Sequence, residues 1–152
     1  MLFEKNIPKK EEDYNVNHPF RILVVEDDPD MSDILALFIK KYGYELCGVA
    51  ESGEDAIRLI KTTSPDVVFI DYLLKGSMDG VDLALYINKE VHIPFIYITA
   101  YSDHHVIERV IHTYPSAFIL KPFKGEEIQV AVEIIKKRIS QKNKNKKDKR
   151  IS

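Results

Sequence analysis

Cysteine is nearly absent from this chain of 152 residues, where Cys47 stands alone. A single cysteine excludes an internal disulfide and a thiolate zinc cluster. Long apolar runs are missing as well, and no stretch approaches the ~20 apolar residues that a membrane-spanning helix needs. The opening residues, MLFEKNIPKKEEDYNVNH, have no apolar region of signal-peptide length. Export is therefore not expected, and the expected location is cytoplasmic. Cys47 lies in an apolar run, where a buried structural thiol is expected rather than a reactive one. What is present is ordinary for a globular protein: 45% hydrophobic and 30% charged residues. That composition excludes a disordered chain, and the length suits one domain.

Basic residues are scarce over most of the chain and crowded at one end. Residues 136–152 hold nine Lys or Arg and one Asp, a net of +8. The first 135 residues hold 13 basic and 23 acidic side chains, a net of -10, within a formal total of -2. Such an acidic body lacks the clustered cations of a phosphate-binding face, so specific nucleic-acid recognition is not expected. The basic stretch could touch nucleic acid or anionic lipid through counterion release. It has almost no apolar residues to bury, and residues 140–152 are expected to be a solvated, disordered tail. Residues 1–19 are polar, carry Pro8 and Pro19, and read as a flexible leader to a single domain over 20–139.

From Arg21 onward two segment types alternate. RILVV, ELCGVA, DVVFI, PFIYIT and SAFIL are short runs rich in β-branched and aromatic residues. Runs this apolar, without period-two alternation, suit strands buried on both faces of a parallel sheet. Helical spacing lies between them: Met31, Ile34, Leu35, Phe38 and Ile39; then Val106, Ile107, Val110 and Ile111; then Ile128, Ala131, Val132, Ile135 and Ile139. Two shorter helices are expected near 54–61 and 81–90. Five β-α units with right-handed crossovers give a doubly wound parallel α/β sheet with helices on both faces. Ligands of such sheets sit outside the carboxyl ends of the strands, at the switch in strand order.

Those ends carry chemistry. The first strand runs into Glu26, Asp27 and Asp28, the third into Asp71, the fourth into Thr99 and the fifth into Lys121 and Pro122. If the strands order as 2-1-3-4-5, these ends surround one cleft. Clustered carboxylates repel unless a cation joins them, and an oxygen-only set suits a hard divalent ion. Mg²⁺ takes one or two carboxylates and leaves positions for phosphate oxygens. Lys121 adds a positive point charge and Thr99 a hydroxyl donor, while a free oxygen of Asp71 is a nucleophile. The set points to phosphoryl transfer to an aspartate. Any one acid after a strand is more often a helix N-cap, a role that Asp28 or Asp30 suits.

The segments ILVVEDDPDM, VVFIDYLLKGSMDGVDLA, ITA and FILKPF, in that order, resemble the receiver domain of two-component response regulators. The resemblance implies a flavodoxin-like (βα)5 fold with sheet order 2-1-3-4-5. It places Mg²⁺, with Mn²⁺ as a substitute, on Glu26, Asp27, Asp71 and the backbone carbonyl of Leu73. It makes Asp71 the phosphoacceptor, assisted by Thr99 and Lys121, with a cis peptide between Lys121 and Pro122. Thr99 and Phe118 become the switch that remodels the face of helix 4, strand 5 and helix 5. The implied partners are a sensor histidine kinase or phosphotransfer protein and an unknown downstream protein, with a homodimer through that face compatible. The implied catalysis is the domain's own aspartyl phosphorylation and slow dephosphorylation, without turnover of an external substrate. Leu73 and Tyr101 occupy positions that influence hydrolysis in this family, and both are bulky and non-basic here.

Two features depart from the commoner pattern: the loop after Asp71, YLLKGSMDG, is one residue longer, and the aromatic on strand 5 is Phe118 rather than Tyr. A haloacid-dehalogenase-type phosphatase would need an acid at position 73, where Leu73 stands. A receiver-like module working only through protein contacts, and a receiver fragment of a larger regulator or hybrid kinase, stay open as alternatives. Adjacent His104 and His105 point to different sides of a helix and make no metal pair. Tyr42, Tyr44, Tyr97 and Tyr114 are expected to be packing residues with a polar tip.

Overall fold

The computed structural model describes residues 18–151; the leader expected over 1–19 falls almost entirely outside them. Five strands, β1 (Arg21–Val25), β2 (Glu45–Ala50), β3 (Val67–Ile70), β4 (Phe95–Thr99) and β5 (Ala117–Leu120), form one sheet in the order β2-β1-β3-β4-β5. Every pairing is parallel. The helices between and after them are α1 (Pro29–Lys41), α2 (Gly53–Thr63), α3 (Gly80–Tyr86), α4 (His104–Ile111) and α5 (Gly125–Ile151). This is the flavodoxin-like α/β arrangement, with the switch in strand order falling between β1 and β3.

The strands read as unbroken apolar runs because alternate residues enter two different cores. Ile22 and Val24, Val67 and Phe69, and Ile96 and Ile98 pack with Leu35 and Ile39 of α1 and Ile128, Val132 and Ile135 of α5. Leu23 and Val25, Val68 and Ile70, and Phe95 and Tyr97 pack with Ala56 and Ile60 of α2, Leu83 and Ala84 of α3, and Val106 and Val110 of α4. A one-residue slip would exchange the two faces, so packing on both sides holds the register. Burying each large aliphatic side chain contributes roughly 1.5–3 kcal/mol.

Four of the five helix starts are capped locally. Asp28, Ser52, Asp79 and Asp103 cap α1, α2, α3 and α4 by accepting from Asp30, Asp55, Asp82 and Val106 backbone N–H groups. At α3 the cap is reciprocal, because the Asp82 side chain also accepts from the Asp79 backbone N–H. The last turn of α3 widens into a π-helical segment, Ile87–Val91, closed by His92 in the left-handed region with φ of 61°. Widened turns of this kind mark an inserted residue in a helix.

The edge strand β2 carries an irregularity: Ile22 pairs with Leu46 and Leu23 with Gly48, which leaves Cys47 as the extra residue. Burial pushes the half-buried Cys47 thiol above its ordinary range, against a contact from the Thr63 hydroxyl at 3.6 Å. Cys47 is therefore expected to alkylate slowly in the folded protein at neutral pH and rapidly in denaturant. Complete labelling of the native protein within minutes would contradict this.

Three expectations need correction. The stretch 140–151, expected to be disordered, continues α5 as a helix whose residues 141–149 are solvent-exposed. It contains neither Gly nor Pro and extends a helix already nucleated by the packing of Ile128, Val132 and Ile135. Propagation needs no core of its own. Tyr114, expected to pack, is 84% exposed in a turn with φ of 55°. Ile34 and Ile111 match the apolar spacing of α1 and α4 but lie largely outside the cores. No described helix is long and apolar enough to cross a membrane.

Candidate functional site

The parallel sheet brings the carboxyl ends of β1, β3, β4 and β5 to one edge, and backbone bonds fix them relative to one another. Glu26 N–H donates to Ala50 O at 2.9 Å and Asp71 N–H to Val25 O at 3.1 Å. Lys121 N–H donates to Thr99 O at 2.9 Å, and the Lys121–Pro122 peptide is cis. The side chains of Glu26, Asp71 and Lys121 therefore converge from three strands. The Lys121 ammonium donates to Glu26 Oε2 at 2.8 Å and to Asp71 Oδ2 at 3.1 Å. Glu26 is 3% exposed and Asp71 8%.

The charges do not balance. Glu26, Asp27 and Asp71 place carboxylate oxygens within 4.8 Å of one another, against the single ammonium of Lys121. Burial, together with the Asp71 charge, pushes Glu26 up to about 7 despite the hydrogen bond from Lys121. Burial disfavours the Lys121 ammonium, but its bond to Glu26 and the charge of Asp71 outweigh this and hold its pKa above the ordinary value. The Glu26 shift reports burial first and the neighbouring Asp71 charge after it, and the Lys121 shift reports the two carboxylates around the ammonium. Asp71 Oδ1 is fully buried and has no hydrogen-bond partner among the described residues. A buried carboxylate oxygen left unmatched costs of the order of 1–3 kcal/mol, and a cation would satisfy it. The donor set is all oxygen, so the residues fit a hard divalent ion.

The structure engages the remaining sequence-predicted residues in different ways. Asp28 caps α1 and donates its N–H to Glu26 Oε1 at 3.2 Å, which orients that carboxylate. Thr99 is fully buried at the end of β4, and its Oγ1 accepts from Tyr101 N–H at 3.3 Å. Phe118 is half-buried on β5 with its ring 6.2 Å from that of Tyr97. The Leu73 and Tyr101 side chains are 45% and 44% exposed. His104 and His105 begin α4 on the surface.

Sequence reasoning missed what holds the long loop between β3 and α3. Ser52 and Lys75 form a parallel bridge, and the Ser77 hydroxyl donates to Glu54 Oε1 at 2.8 Å. The loop is thus pinned to the start of α2. Its neck closes where Gly80 N–H donates to Tyr72 O at 2.9 Å. A Cβ on Gly80 would stand 2.3 Å from the backbone oxygen of Asp71, so no larger residue fits without moving Asp71. Gly80→Ala is expected to destabilise the fold by about 1–3 kcal/mol. A Tm within a degree of wild type would contradict the tight approach. The Asp79–Asp82 spacing was a readable capping signal, whereas the closeness of Gly80 to Asp71 had none.

The doubly wound sheet and the acid–lysine cluster at its switch point define the class, and comparison with known proteins assigns the family. The sequence profile of the response regulator receiver domain matches residues 22–133, and the chain belongs to that family. It is similar to the transcriptional regulatory protein PdtaR of Mycobacterium tuberculosis, with 31% identity over 116 residues, 76% of this chain and 56% of PdtaR. It is also similar to the DNA-binding response regulator MtrA of Mycolicibacterium smegmatis, with 28% identity, 74% of this chain and 48% of MtrA. The chain thus spans about half the length of the curated relatives it matches. Among solved structures, the signal receiver domain of a modulated diguanylate cyclase from Desulfovibrio desulfuricans G20 superposes with a TM-score of 0.73 at 28% identity. It covers 79% of this chain and 97% of that one.

Proposed function

We propose that this receiver domain is a phosphorylation-activated switch in which Asp71 accepts a phosphoryl group from the phosphohistidine of a sensor histidine kinase or phosphotransfer protein. One observation carries the reading: Asp71 has one oxygen held by Lys121 and the other buried without a partner, inside a carboxylate cluster short of positive charge. An Asp71 carboxylate oxygen attacks phosphorus, the P–N bond breaks, and the departing imidazole takes a proton. Glu26, Asp27, Asp71 and the Leu73 carbonyl would hold Mg²⁺, with Mn²⁺ as a substitute. Bound there, the ion supplies charge neutralisation to the transferring phosphoryl oxygens. Lys121 would pair with the new phosphoryl group, and the Thr99 hydroxyl would donate to it. Movement of Thr99 and Phe118 would then remodel the α4, β5 and α5 face toward a downstream protein or a second copy.

Leu73 does not favour a haloacid-dehalogenase-type phosphatase, because no acid stands there to protonate a leaving group. One observation favours a role as the receiver part of a larger regulator: the relatives extend well beyond the matched region. Intact mass after incubation with acetyl phosphate and Mg²⁺ tests the central reading. One added phosphate with Mg²⁺, and none with EDTA, is expected. Failure both with acetyl phosphate and with a phosphorylated kinase would move the reading to a binding-only module. The added phosphate is expected to persist for minutes or longer, since neither Leu73 nor Tyr101 can act as a base toward water at neutral pH. Its loss within seconds would contradict that.

A further inference from the structure

Arg109 reaches the acceptor loop from α4. Its Nη1 donates to the Tyr72 hydroxyl at 2.7 Å and to Asp79 Oδ2 at 3.0 Å. Tyr72 directly follows Asp71 and is 7% exposed; Asp79 caps α3 and precedes Gly80. One guanidinium nitrogen therefore holds both ends of the 72–79 loop, beside the Tyr72 O to Gly80 N–H bond that closes its neck. On the far side Lys75 bridges Ser52 and Ser77 bonds Glu54, while Leu74 and Met78 pack against the core.

The contact is side chain to side chain across 37 and 30 residues of sequence, so the helix fold does not require it. Val106 and Val110 anchor α4 in the core without Arg109. Asp79 could cap α3 equally well with water on its other oxygen. Burial opposes the Asp79 charge, but the Asp82 backbone N–H and Arg109 together hold its carboxyl below the ordinary range, so the ion pair is formed at neutral pH. An arginine that leaves the core packing of α4 to Val106 and Val110, and is instead fastened at both ends of the acceptor loop, points to a role in that loop.

We infer that Arg109 is a positioning residue for the chemistry at Asp71: from α4 it clamps the two ends of the 72–79 loop and so fixes the backbone that carries Asp71 and Leu73. The inference rests on the phosphoacceptor reading of Asp71. It supplies a mechanical link between the acceptor loop and α4 that is separate from Thr99 and Phe118. By reciprocity, a partner that binds α4 more tightly once Asp71 is loaded shifts the loading equilibrium of Asp71 by the same factor.

The test compares wild type, Arg109→Ala, Arg109→Lys, Tyr72→Phe and the Arg109→Ala/Tyr72→Phe double variant. Two readouts are taken: hydrogen exchange over 72–80 without any phosphodonor, and the initial rate of labelling by acetyl phosphate across a Mg²⁺ titration. Arg109→Ala is expected to speed exchange in the loop, and to slow labelling by roughly tenfold, since small displacements of reacting groups have effects of that size or larger. Arg109→Lys should recover part of the rate through the Asp79 pair. The double variant should be no slower than Arg109→Ala, because both changes remove one shared contact. Wild-type exchange and wild-type labelling in Arg109→Ala would overturn the inference, as would a lowered Tm with both readouts unchanged. No labelling of the wild type would instead count against the acceptor reading, and loop exchange in Arg109→Ala would still report on the clamp.

Discussion

Asp71→Asn is expected to remove phosphorylation completely while leaving the fold intact. The amide keeps the size and shape of the carboxylate, so the packing of the 3.1 Å contact with Lys121 survives. It lacks the anionic oxygen that attacks phosphorus, and an amide oxygen is too weak a nucleophile to replace it. The variant also relieves the repulsion between Asp71 and Glu26, which are both buried. Thermal stability without divalent ion should therefore be equal to wild type or higher, and the stabilisation by Mg²⁺ should shrink. Residual labelling of Asp71→Asn at the wild-type rate would place the acceptor elsewhere.

Lys121→Ala is expected to produce the largest loss of stability at the site, and a pH-dependent one. Removing one partner of a buried pair commonly costs about 3–5 kcal/mol. Here a ceiling applies, because Glu26 can take a proton instead. Glu26 already sits at about 7 with Lys121 in place, so at pH 7 completing its protonation adds little, and the deficit then grows by at most roughly 1.4 kcal/mol for each further pH unit. The sign follows from linkage. Glu26 sits at about 7 in the folded protein, above its unfolded value of 4.5. Folding therefore takes up a proton between those values, and stability falls as pH rises through that window. Lys121, raised above its ordinary range, stays charged throughout it and loses its contribution only in the alkaline range. Without Lys121 the window extends upward, so the pH-dependent deficit of the variant should open as pH rises through about 7 and should fade below it. Urea unfolding at several pH values, in EDTA and in Mg²⁺, measures it. A deficit independent of pH, or one that Mg²⁺ does not reduce, would contradict the charge account.

The fold was legible because β1, β3 and β4 are buried on both faces and so appear as short unbroken apolar runs. The acid cluster, the threonine and the lysine were legible because a parallel sheet places strand ends side by side, which makes four distant segments one location. What could not be read depended on distances between side chains. Nothing around Arg109 marks it as the partner of Tyr72 and Asp79. Gly80 reads as a boundary residue until the 2.3 Å approach to the Asp71 carbonyl is known. The helical continuation to Ile151 was misread because composition reports on burial, and an exposed helix that extends a packed one buries little. Tyr114 and Ile111 were misread for a related reason: residue type suggests packing, but the sheet covers only part of each helix and turn.

The account stands on Asp71 as the acceptor, and the most direct measurement is the position of the phosphate. Wild-type protein labelled by acetyl phosphate with Mg²⁺, or by a phosphohistidine-bearing kinase, is digested and its peptides are weighed. The phosphate is predicted on the peptide containing Asp71 alone, absent in EDTA and absent from Asp71→Asn. A phosphate on a peptide carrying Glu26 and Asp27, or on any other residue, would contradict the assignment, as would no phosphate from either donor.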